Sequence, residues 1–289
     1  MLFEWVRTAA IAARNVAVGS NLASSVLITR PRALVGYASE SMFLLKAMRQ
    51  HRGLPERQVY EVVPHRERDF TIALAECADS SWFGPVASFL VDLIALCTLC
   101  RLLEPRVVFE IGTLTGSSTL HLGLNSPDHA KVYTLDLPPG QQQFSLPATV
   151  SDVETARTGT STTKYAFSGT DVERKIHTLH GDSATFDFSS WHGQVDLFFI
   201  DGAHSYEYVR SDTEQALACV RPGGALAWHD FGRAGVNGVS RYLTELAAGG
   251  LDVFVIPGGS LAYAVLPKRA ADDAPERLAM SGGAGTRRS

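Results

Sequence analysis

Apolar and polar residues follow two different patterns in the two parts of this chain. From about residue 107 onward, short apolar runs are separated by segments with helical spacing. Seven runs are predicted as strands: 106–111, 131–135, 175–179, 195–200, 225–228, 252–256 and 261–266. Because these apolar runs lack the alternation of a strand with one wet face, they indicate a parallel sheet covered by helices on both sides.

The segments between the runs have the spacing of amphipathic helices. Helices are predicted over 117–124, from Ser205 to about residue 220, and over 236–247. Ser205 is a candidate N-cap, and Pro222-Gly223-Gly224 is expected to close the helix that it begins. Before residue 105 the pattern is helical throughout, with candidate helices over 2–18, 33–49, 69–78 and 85–103.

These patterns divide the chain into three parts. Residues 1–104 are predicted to form a helical N-terminal cap, residues 105–267 an α/β domain, and residues 268–289 a disordered tail. Because the cap helices supply no strand-rich core of their own, we expect them to pair two subunits into a homodimer. Within the domain, residues 138–170 are long, polar and rich in Ser, Thr and Gln, which is typical of a lid.

Composition removes several classes of protein. The chain has 289 residues, 26 basic and 30 acidic, giving a net charge of −4 without a long basic run, so we expect no nucleic acid partner. The most apolar run, 86–103, is interrupted by Asp92 and repeats its apolar positions every three or four residues. That spacing favours a helix with one buried face over a membrane span.

Cysteine usage and the start of the chain bear on the compartment. Four cysteines, 77, 97, 100 and 219, lie in apolar contexts and are too few for a disulfide scaffold, which favours a reducing, cytoplasmic protein. Charged residues interrupt the first apolar stretch, so it has no clean signal-peptide core. Cys97-x-x-Cys100 lies inside a predicted apolar helix and is interpreted as structural.

Acidic residues end five of the predicted strands. They are Glu110, Asp136, Asp182, Asp201 and Asp230. In open parallel sheets, ligands bind at the carboxyl ends of the strands, where the strand order reverses. This edge is therefore the candidate binding site.

The segment that follows the first strand has the form of a nucleotide-binding turn. Gly112 allows a tight turn and close approach of a ligand, and Asp136 follows 24 residues later, where such folds place an acid for ribose hydroxyls. The glycine spacing G-x-G-x-x-G is broken by Thr113 and Leu114, which disfavours NAD. No P-loop follows. The turn suits an adenosine that carries an amino-acid group instead of phosphates.

At these residues the sequence resembles class I S-adenosylmethionine-dependent methyltransferases, in the small-molecule branch similar to the macrocin O-methyltransferase-like group. The matching stretches are VVFEIGTLTGSSTL, VYTLDLP, LHGDSATF, VDLFFIDGAHSYEYVRSDTEQAL and VRPGGALAWHDF, which span about residues 107–231. The resemblance implies a Rossmann-like, doubly wound, mostly parallel seven-stranded sheet with an antiparallel last strand.

The resemblance also implies a set of cofactor-binding residues. Glu110 and Gly112 would face the methionine part of S-adenosylmethionine, Asp136 the ribose, and Asp182 with Ser183 the adenine. Asp201 would lie beneath the sulfonium. The full implied set is Glu110, Gly112, Thr113, Gly116, Ser118, Asp136, Leu137, Asp182, Ser183, Asp201 and His204.

A second group of residues carries the expected chemistry: Asp201, His204, His229 and Asp230. In related metal-dependent methyltransferases, acids at the positions that match Asp201 and Asp230 hold Mg²⁺. Asp201, His229 and Asp230 are therefore candidate metal ligands. His229 departs from that pattern because Mg²⁺ prefers oxygen ligands. The metal-free alternative makes His204 or His229 the general base, beside Asp201. His204 could also be a loop histidine without a catalytic role.

Together these features predict an enzyme that methylates a small secondary-metabolite acceptor, with oxygen favoured over nitrogen or carbon. Tyr206 and Tyr208 are weaker candidates for contact with an acceptor ring. Two alternatives are an NAD(P)-dependent oxidoreductase and a non-catalytic binding module that keeps the S-adenosylmethionine fold.

Overall fold

The computed structural model describes residues 54–64, 70–75, 87–138, 140–141, 143–159, 164–233 and 237–268. The predicted helices over 2–18 and 33–49 lie outside these residues, and so does the predicted tail from residue 269 onward. The cap is therefore described only in part.

Six helices and seven strands alternate along the described residues. The helices are α1 (Val59–Val62), α2 (Ala87–Leu103), α3 (Ser117–Asn125), α4 (Val150–Gly159), α5 (Tyr206–Cys219) and α6 (Asn237–Ala248). The strands are β1 (Val107–Ile111), β2 (Lys131–Asp136), β3 (Ile176–His180), β4 (Val195–Ile200), β5 (Val220–Trp228), β6 (Phe254–Val255) and β7 (Ala262–Val265). Short 3₁₀ turns precede β3 and β4.

The strands form one sheet in the order β3-β2-β1-β4-β5-β7-β6. Neighbours from β3 to β5 are parallel, and β7 is antiparallel to both β5 and β6. The order reverses between β1 and β4, which places a topological switch point where the acids were predicted to meet. All seven predicted strands and the predicted fold class are confirmed.

Burial explains why the strands are continuous apolar runs. Every residue of β4 is buried, and so are the last four of β1. Helix α2 covers one side of the sheet with the single buried face that its spacing predicts. Leu93, Leu96 and Cys100 are buried on this face, while Leu90 and Ile94 are exposed. None of the helices in the described part of the chain has both the length and the apolar character that a membrane span needs.

Two predicted elements are wrong. The helix predicted over 69–78 is not formed in its described part, 70–75, because side chains of α3 bond its backbone instead: Asn125 pairs with both backbone groups of Ala73, at 2.8 Å each. Strand β5 begins at Val220, so the Pro-Gly-Gly sequence lies inside the strand rather than ending a helix. A shift of register against β4 accommodates it.

Helix α5 carries a buried acid that the sequence pattern does not reveal. Ser205 caps the helix by accepting a hydrogen bond from Tyr208 N, as predicted. Asp212, two turns into the helix, is fully buried, and neither carboxyl oxygen has a hydrogen-bond partner within the described residues. Burial raises the pKa of Asp212 from 3.8 to about 7, and the nearby charge of Asp182 acts in the same direction.

We predict that Asp212→Asn stabilises the protein at high pH. The folded-state pKa of Asp212 is raised, so the stability that its protonated form allows is present below about pH 4 and is lost as the pH rises through about 7. Relative to the parent protein, the free energy of unfolding of D212N should increase by roughly 1–3 kcal/mol between about pH 4 and pH 8, measured by urea titration. Asp252→Asn, at an exposed position, is the control. A difference that does not change with pH would contradict this account.

Candidate active site

The turn after β1 brings the ends of three strands together. Gly112 has φ +100°, and a Cβ on it would lie 2.1 Å from the backbone oxygen of Asp201, so only glycine fits. Gly112 N donates to Leu135 O at 2.8 Å, and Asp201 N donates to Ile111 O at 2.9 Å. The acids that end β1, β2 and β4 are therefore held at one edge.

Glu110 is buried beneath this turn. Its Oε2 accepts hydrogen bonds from Thr119 Oγ1 at 2.5 Å and Thr134 Oγ1 at 2.6 Å, whereas Oε1 is buried without a partner among the described residues. Burial raises the pKa of Glu110 to about 7 against the lowering effect of Ser118 and the two threonines. One acceptor atom thus remains available for a cationic donor.

Asp136 ends β2 beside the same turn. Its two carboxyl oxygens accept hydrogen bonds from Leu114 N and Leu137 N, each at 2.7 Å. Burial raises its pKa in spite of these bonds. Thr113 lies next to it and bonds Thr134 through the two hydroxyls at 2.6 Å. The structure therefore brings Thr113, Asp136 and Leu137 together, as the resemblance implied.

Asp182, after β3, has its carboxylate surrounded by donors. Ser145 N donates to it at 2.7 Å, Ala184 N at 3.0 Å, and the Tyr208 hydroxyl at 2.8 and 2.9 Å. Burial alone would raise the pKa of Asp182, but the hydrogen bonds from these donors outweigh burial. The net effect is that the pKa of Asp182 is lowered. Ser183 follows Asp182 in the chain and lies beside the buried Asp212.

The hydroxyl groups of the two tyrosines bond acidic side chains of the protein. Tyr208 is only 2% exposed and its hydroxyl is used by Asp182 and the backbone of Ser145. The Tyr206 hydroxyl donates to Glu245 at 2.6 Å, and the guanidinium of Arg241 lies over its ring. Both hydroxyls therefore have partners within the protein, and contact of either ring with an acceptor stays a prediction.

The described parts of the predicted lid lie against the site at three points. Ser145 bonds Asp182, as above. Tyr165 and Phe167 pack on Gly116, and a Cβ at that position would lie 2.8 Å from the Phe167 ring. Ala166 N also donates to Thr115 O at 2.9 Å.

The third contact is made by Asp152 of α4, which bonds His204. The ring Nδ1 of His204 lies 2.6 Å from Asp152 Oδ1, and its Nε2 lies 2.8 Å from Asp230 Oδ2. Asp152 Oδ2 also accepts from His204 N at 3.1 Å and Thr149 N at 2.8 Å. A neutral imidazole has one N–H, so a ring placed between two carboxylates favours the imidazolium. Burial opposes that charge, but the two acids outweigh it and raise the pKa of His204 to about 10.

His229 occupies a similar position one strand away. Its Nδ1 lies 3.2 Å from Asp201 Oδ1 and 3.1 Å from Asp230 Oδ1, and its Nε2 lies 3.3 Å from Asp92 Oδ2. Burial opposes the charged ring, but the carboxylates outweigh it and raise the pKa of His229 well above 6.5. The same contacts hold the pKa of Asp230 well below its usual range, although burial acts in the opposite direction.

Three residues of this group were missed from the sequence: Asp92, Asp152 and Arg233. Arg233 Nη1 donates to both oxygens of Asp230, at 2.9 and 3.1 Å. In the sequence Asp92 only interrupts an apolar run, but a charged residue on the buried face of a helix is itself a signal of a buried partner. Asp152 and Arg233 gave no such signal, because they lie in polar segments.

Asp92 joins α2 to the site. Its carboxylate accepts from Ser260 N at 2.7 Å, Leu261 N at 2.8 Å and Ser260 Oγ at 2.6 Å, besides its contact with His229. A Cβ on Gly259 would lie 2.1 Å from Asp92 Oδ1, so glycine is required for this approach. One carboxylate therefore fixes the helix before the sheet to the turn between β6 and β7.

The candidate metal ligands come together but do not suit Mg²⁺ in this arrangement. Asp201, His229 and Asp230 each offer an atom within 4.8 Å of the others. Asp230 is already bonded by His204 and Arg233, which use the carboxylate oxygens that a cation would need. The cavity beside the group has a volume of about 10 Å³, room for roughly one water, whereas Mg²⁺ usually keeps several.

The strand order, with its antiparallel β7 and its acids at the switch point, defines a Rossmann-like α/β domain of the methyltransferase type. Residues 109–231 match the family model of a methyltransferase domain. This stretch is similar to that family, and the match supports the predicted resemblance to class I S-adenosylmethionine-dependent methyltransferases and an activity in methyl transfer.

Several solved structures are similar to this chain in fold. The cofactor-bound protein Rv0187 from MTB is 19% identical over 87% of this chain and 97% of its own, with a TM-score of 0.46. The O-methyltransferase TomG from Streptomyces achromogenes, in complex with SAM, is 20% identical over 78% and 89%, with a TM-score of 0.44. The Bacillus cereus O-methyltransferase in complex with SAH is 18% identical over 78% and 90%, with a TM-score of 0.41. Similarity at this level does not bear on the acceptor. Among curated proteins there is no match.

We predict that Asp152→Asn loosens α4. Asp152 accepts three hydrogen bonds that join α4 and residue 149 to His204, and bonds to a charged partner are worth about 1.5–3 kcal/mol each. Amide hydrogen exchange in residues 149–156 should become at least about tenfold faster. Glu154→Gln, on the same helix with the exposed partner Arg157, is the control and should leave exchange there unchanged. Equal exchange in the two variants would refute the role of Asp152.

Proposed function

We propose that this site transfers the methyl group of S-adenosylmethionine to an oxygen of a small acceptor, with nitrogen or carbon as alternative acceptor atoms. One observation carries the proposal. Asp201 belongs to both halves of the site: its backbone N–H bonds the end of β1 beside Gly112, and its carboxylate lies 3.2 Å from His229. The turn after β1 is therefore adjacent, at the switch point, to the group of side chains that surrounds Asp230. We call this set the acid–histidine group; its members are Asp92, Asp152, Asp201, His204, His229, Asp230 and Arg233.

The residues of the turn fit the parts of the cofactor. The buried Oε1 of Glu110, which has no partner among the described residues, can accept from an ammonium group, and an ammonium there would favour the charged form of this acid. Asp136 is assigned to the ribose hydroxyls. Because three donors already surround the carboxylate of Asp182, we assign adenine contact first to Ser183.

The bound cofactor would supply a methyl group already activated by its sulfonium. The protein's main contribution is then to hold the acceptor in line with that methyl, which is worth roughly 7–11 kcal/mol, against about 3–5 kcal/mol for a positioned base. Asp201, His204 and His229 line the small cavity at the mouth of this region. We assign them to the acceptor side of the site.

The charge states of these residues decide which of them takes the acceptor's proton. His204 and His229 are held as imidazolium ions near neutral pH, so neither is free to act as a base in this arrangement. The side chain of Asp201 is 28% exposed, and its carboxyl group lies 3.2 Å from one of the two rings, that of His229. We assign the proton to the Asp201 carboxylate as the acceptor oxygen gains the methyl group, with the two histidines positioning the carboxylates.

Two further assignments complete the proposal. The acceptor is a small molecule, and we place it among secondary metabolites on the strength of the sequence resemblance. The exposed apolar side chains of α2 and its neighbours, including Leu74, Leu90 and Ile94, support a homodimer formed through the N-terminal region.

We predict different outcomes for changes on the two sides of the site. Asp136→Ala should weaken binding of S-adenosylhomocysteine at least about tenfold, because it removes the acid assigned to the ribose. His204→Ala should leave that affinity within about twofold but lower turnover about a hundredfold, through loss of positioning. Isothermal titration calorimetry measures the affinities, and turnover is measured with an acceptor found by screening hydroxylated and indolic compounds.

Titrations of the unmodified protein with S-adenosylmethionine and with NAD(P) test the proposal itself. Binding of NAD(P) instead of S-adenosylmethionine would favour an oxidoreductase. Binding of S-adenosylmethionine without turnover on any acceptor would favour a non-catalytic module. An equal loss of affinity in D136A and H204A would contradict the division of roles.

We also propose that residues 138–170 act as a lid over the cofactor. The contacts of Ser145, Asp152 and Tyr165 with the site support this. Limited proteolysis should show cleavage within 138–170 that S-adenosylhomocysteine slows at least about fivefold, because a ligand that binds the closed form stabilises it. Cleavage at the same rate with saturating ligand would argue against a lid.

A further inference from the structure

The acid–histidine group contains nearly as many cations as carboxylates. Four carboxylates converge, those of Asp92, Asp152, Asp201 and Asp230. The rings of His204 and His229 each lie between carboxylates, and Arg233 adds a guanidinium that is charged at any pH the protein meets. In many sites of converging acids a divalent cation supplies this positive charge; here side chains of the chain supply it.

Asp230 is the carboxylate at the centre of this arrangement. Arg233 Nη1 lies within 3.1 Å of both oxygens, His204 Nε2 lies 2.8 Å from Oδ2, and His229 Nδ1 lies 3.1 Å from Oδ1. The side chain of Asp230 is 3% exposed. A metal cation that bound Asp230 would have to displace these donors and would be repelled by the guanidinium of Arg233.

We propose that Arg233 and His229 take the place of a divalent metal, so that this site orients its acceptor without one. The inference concerns how the proposed methyl transfer is carried out, but it rests on contacts that exist whether or not that function is right. Arg233 is then a positioning residue, because it acts by holding the carboxylate of Asp230.

The test is to titrate the protein with Mn²⁺ alone, which binds the same oxygen ligands as Mg²⁺. Isothermal titration calorimetry at neutral pH should show no saturable binding to the parent protein up to about 1 mM. The double variant H229D/R233A replaces one cation by a carboxylate and removes the other. It should bind Mn²⁺ saturably with a Kd of about 0.1 mM or lower, and Asp201→Asn in that background should abolish the binding.

Arg241→Ala is the matched control, since Arg241 pairs with the exposed Glu245 outside the site. Circular dichroism and thermal unfolding show whether each variant is folded, and R233A alone serves if the double variant is not. Saturable Mn²⁺ binding by the parent protein that Asp201→Asn removes would overturn the proposal. So would folded variants that bind no better than the parent. Neither outcome depends on whether the protein binds S-adenosylmethionine, so failure here is distinguishable from failure of the proposed function.

Discussion

The structure depends on neutralising the carboxylates that collect at one edge of the sheet. Parallel strands end together, so acids at their carboxyl ends repel one another unless donors separate them. Asp230 is the centre of that group, with donors from His204, His229 and Arg233. Removing one donor would leave a buried charge unpaired, which costs far more than the bond itself contributes.

This constraint also explains why distant segments meet at the site. Asp92 on α2 and Asp152 on α4 each reach a histidine of the β4 or β5 loop, although neither helix precedes or follows those strands directly. The two helices thereby become part of the active-site wall. Gly259 leaves the space that the approach of Asp92 requires, and Gly112 leaves the space for the backbone of Asp201, so the backbone is as constrained here as the side chains.

Much of the fold could be predicted because a buried strand has a recognisable local sequence. A strand covered on both faces is a continuous apolar run, and such runs marked all seven strands and the acid at the end of each of five. The two incorrect predictions have a common cause, which is contact with a part of the chain that is distant in sequence. Residues 70–75 have helical spacing, but the side chains of α3 bond their backbone, and the strand β5 absorbs a Pro-Gly-Gly turn through its register with β4.

The sequence by itself determined the sheet, the glycine turn and the acids at the strand ends, since each depends on residues close together in the chain. Only the tertiary structure decided the charge states of the residues around Asp230. Whether His204 is a neutral base or a held cation depends on Asp152, 52 residues away, and on Asp230. Whether Asp230 is open to a metal depends on Arg233. Charge states follow from distances and burial, and no local pattern encodes them.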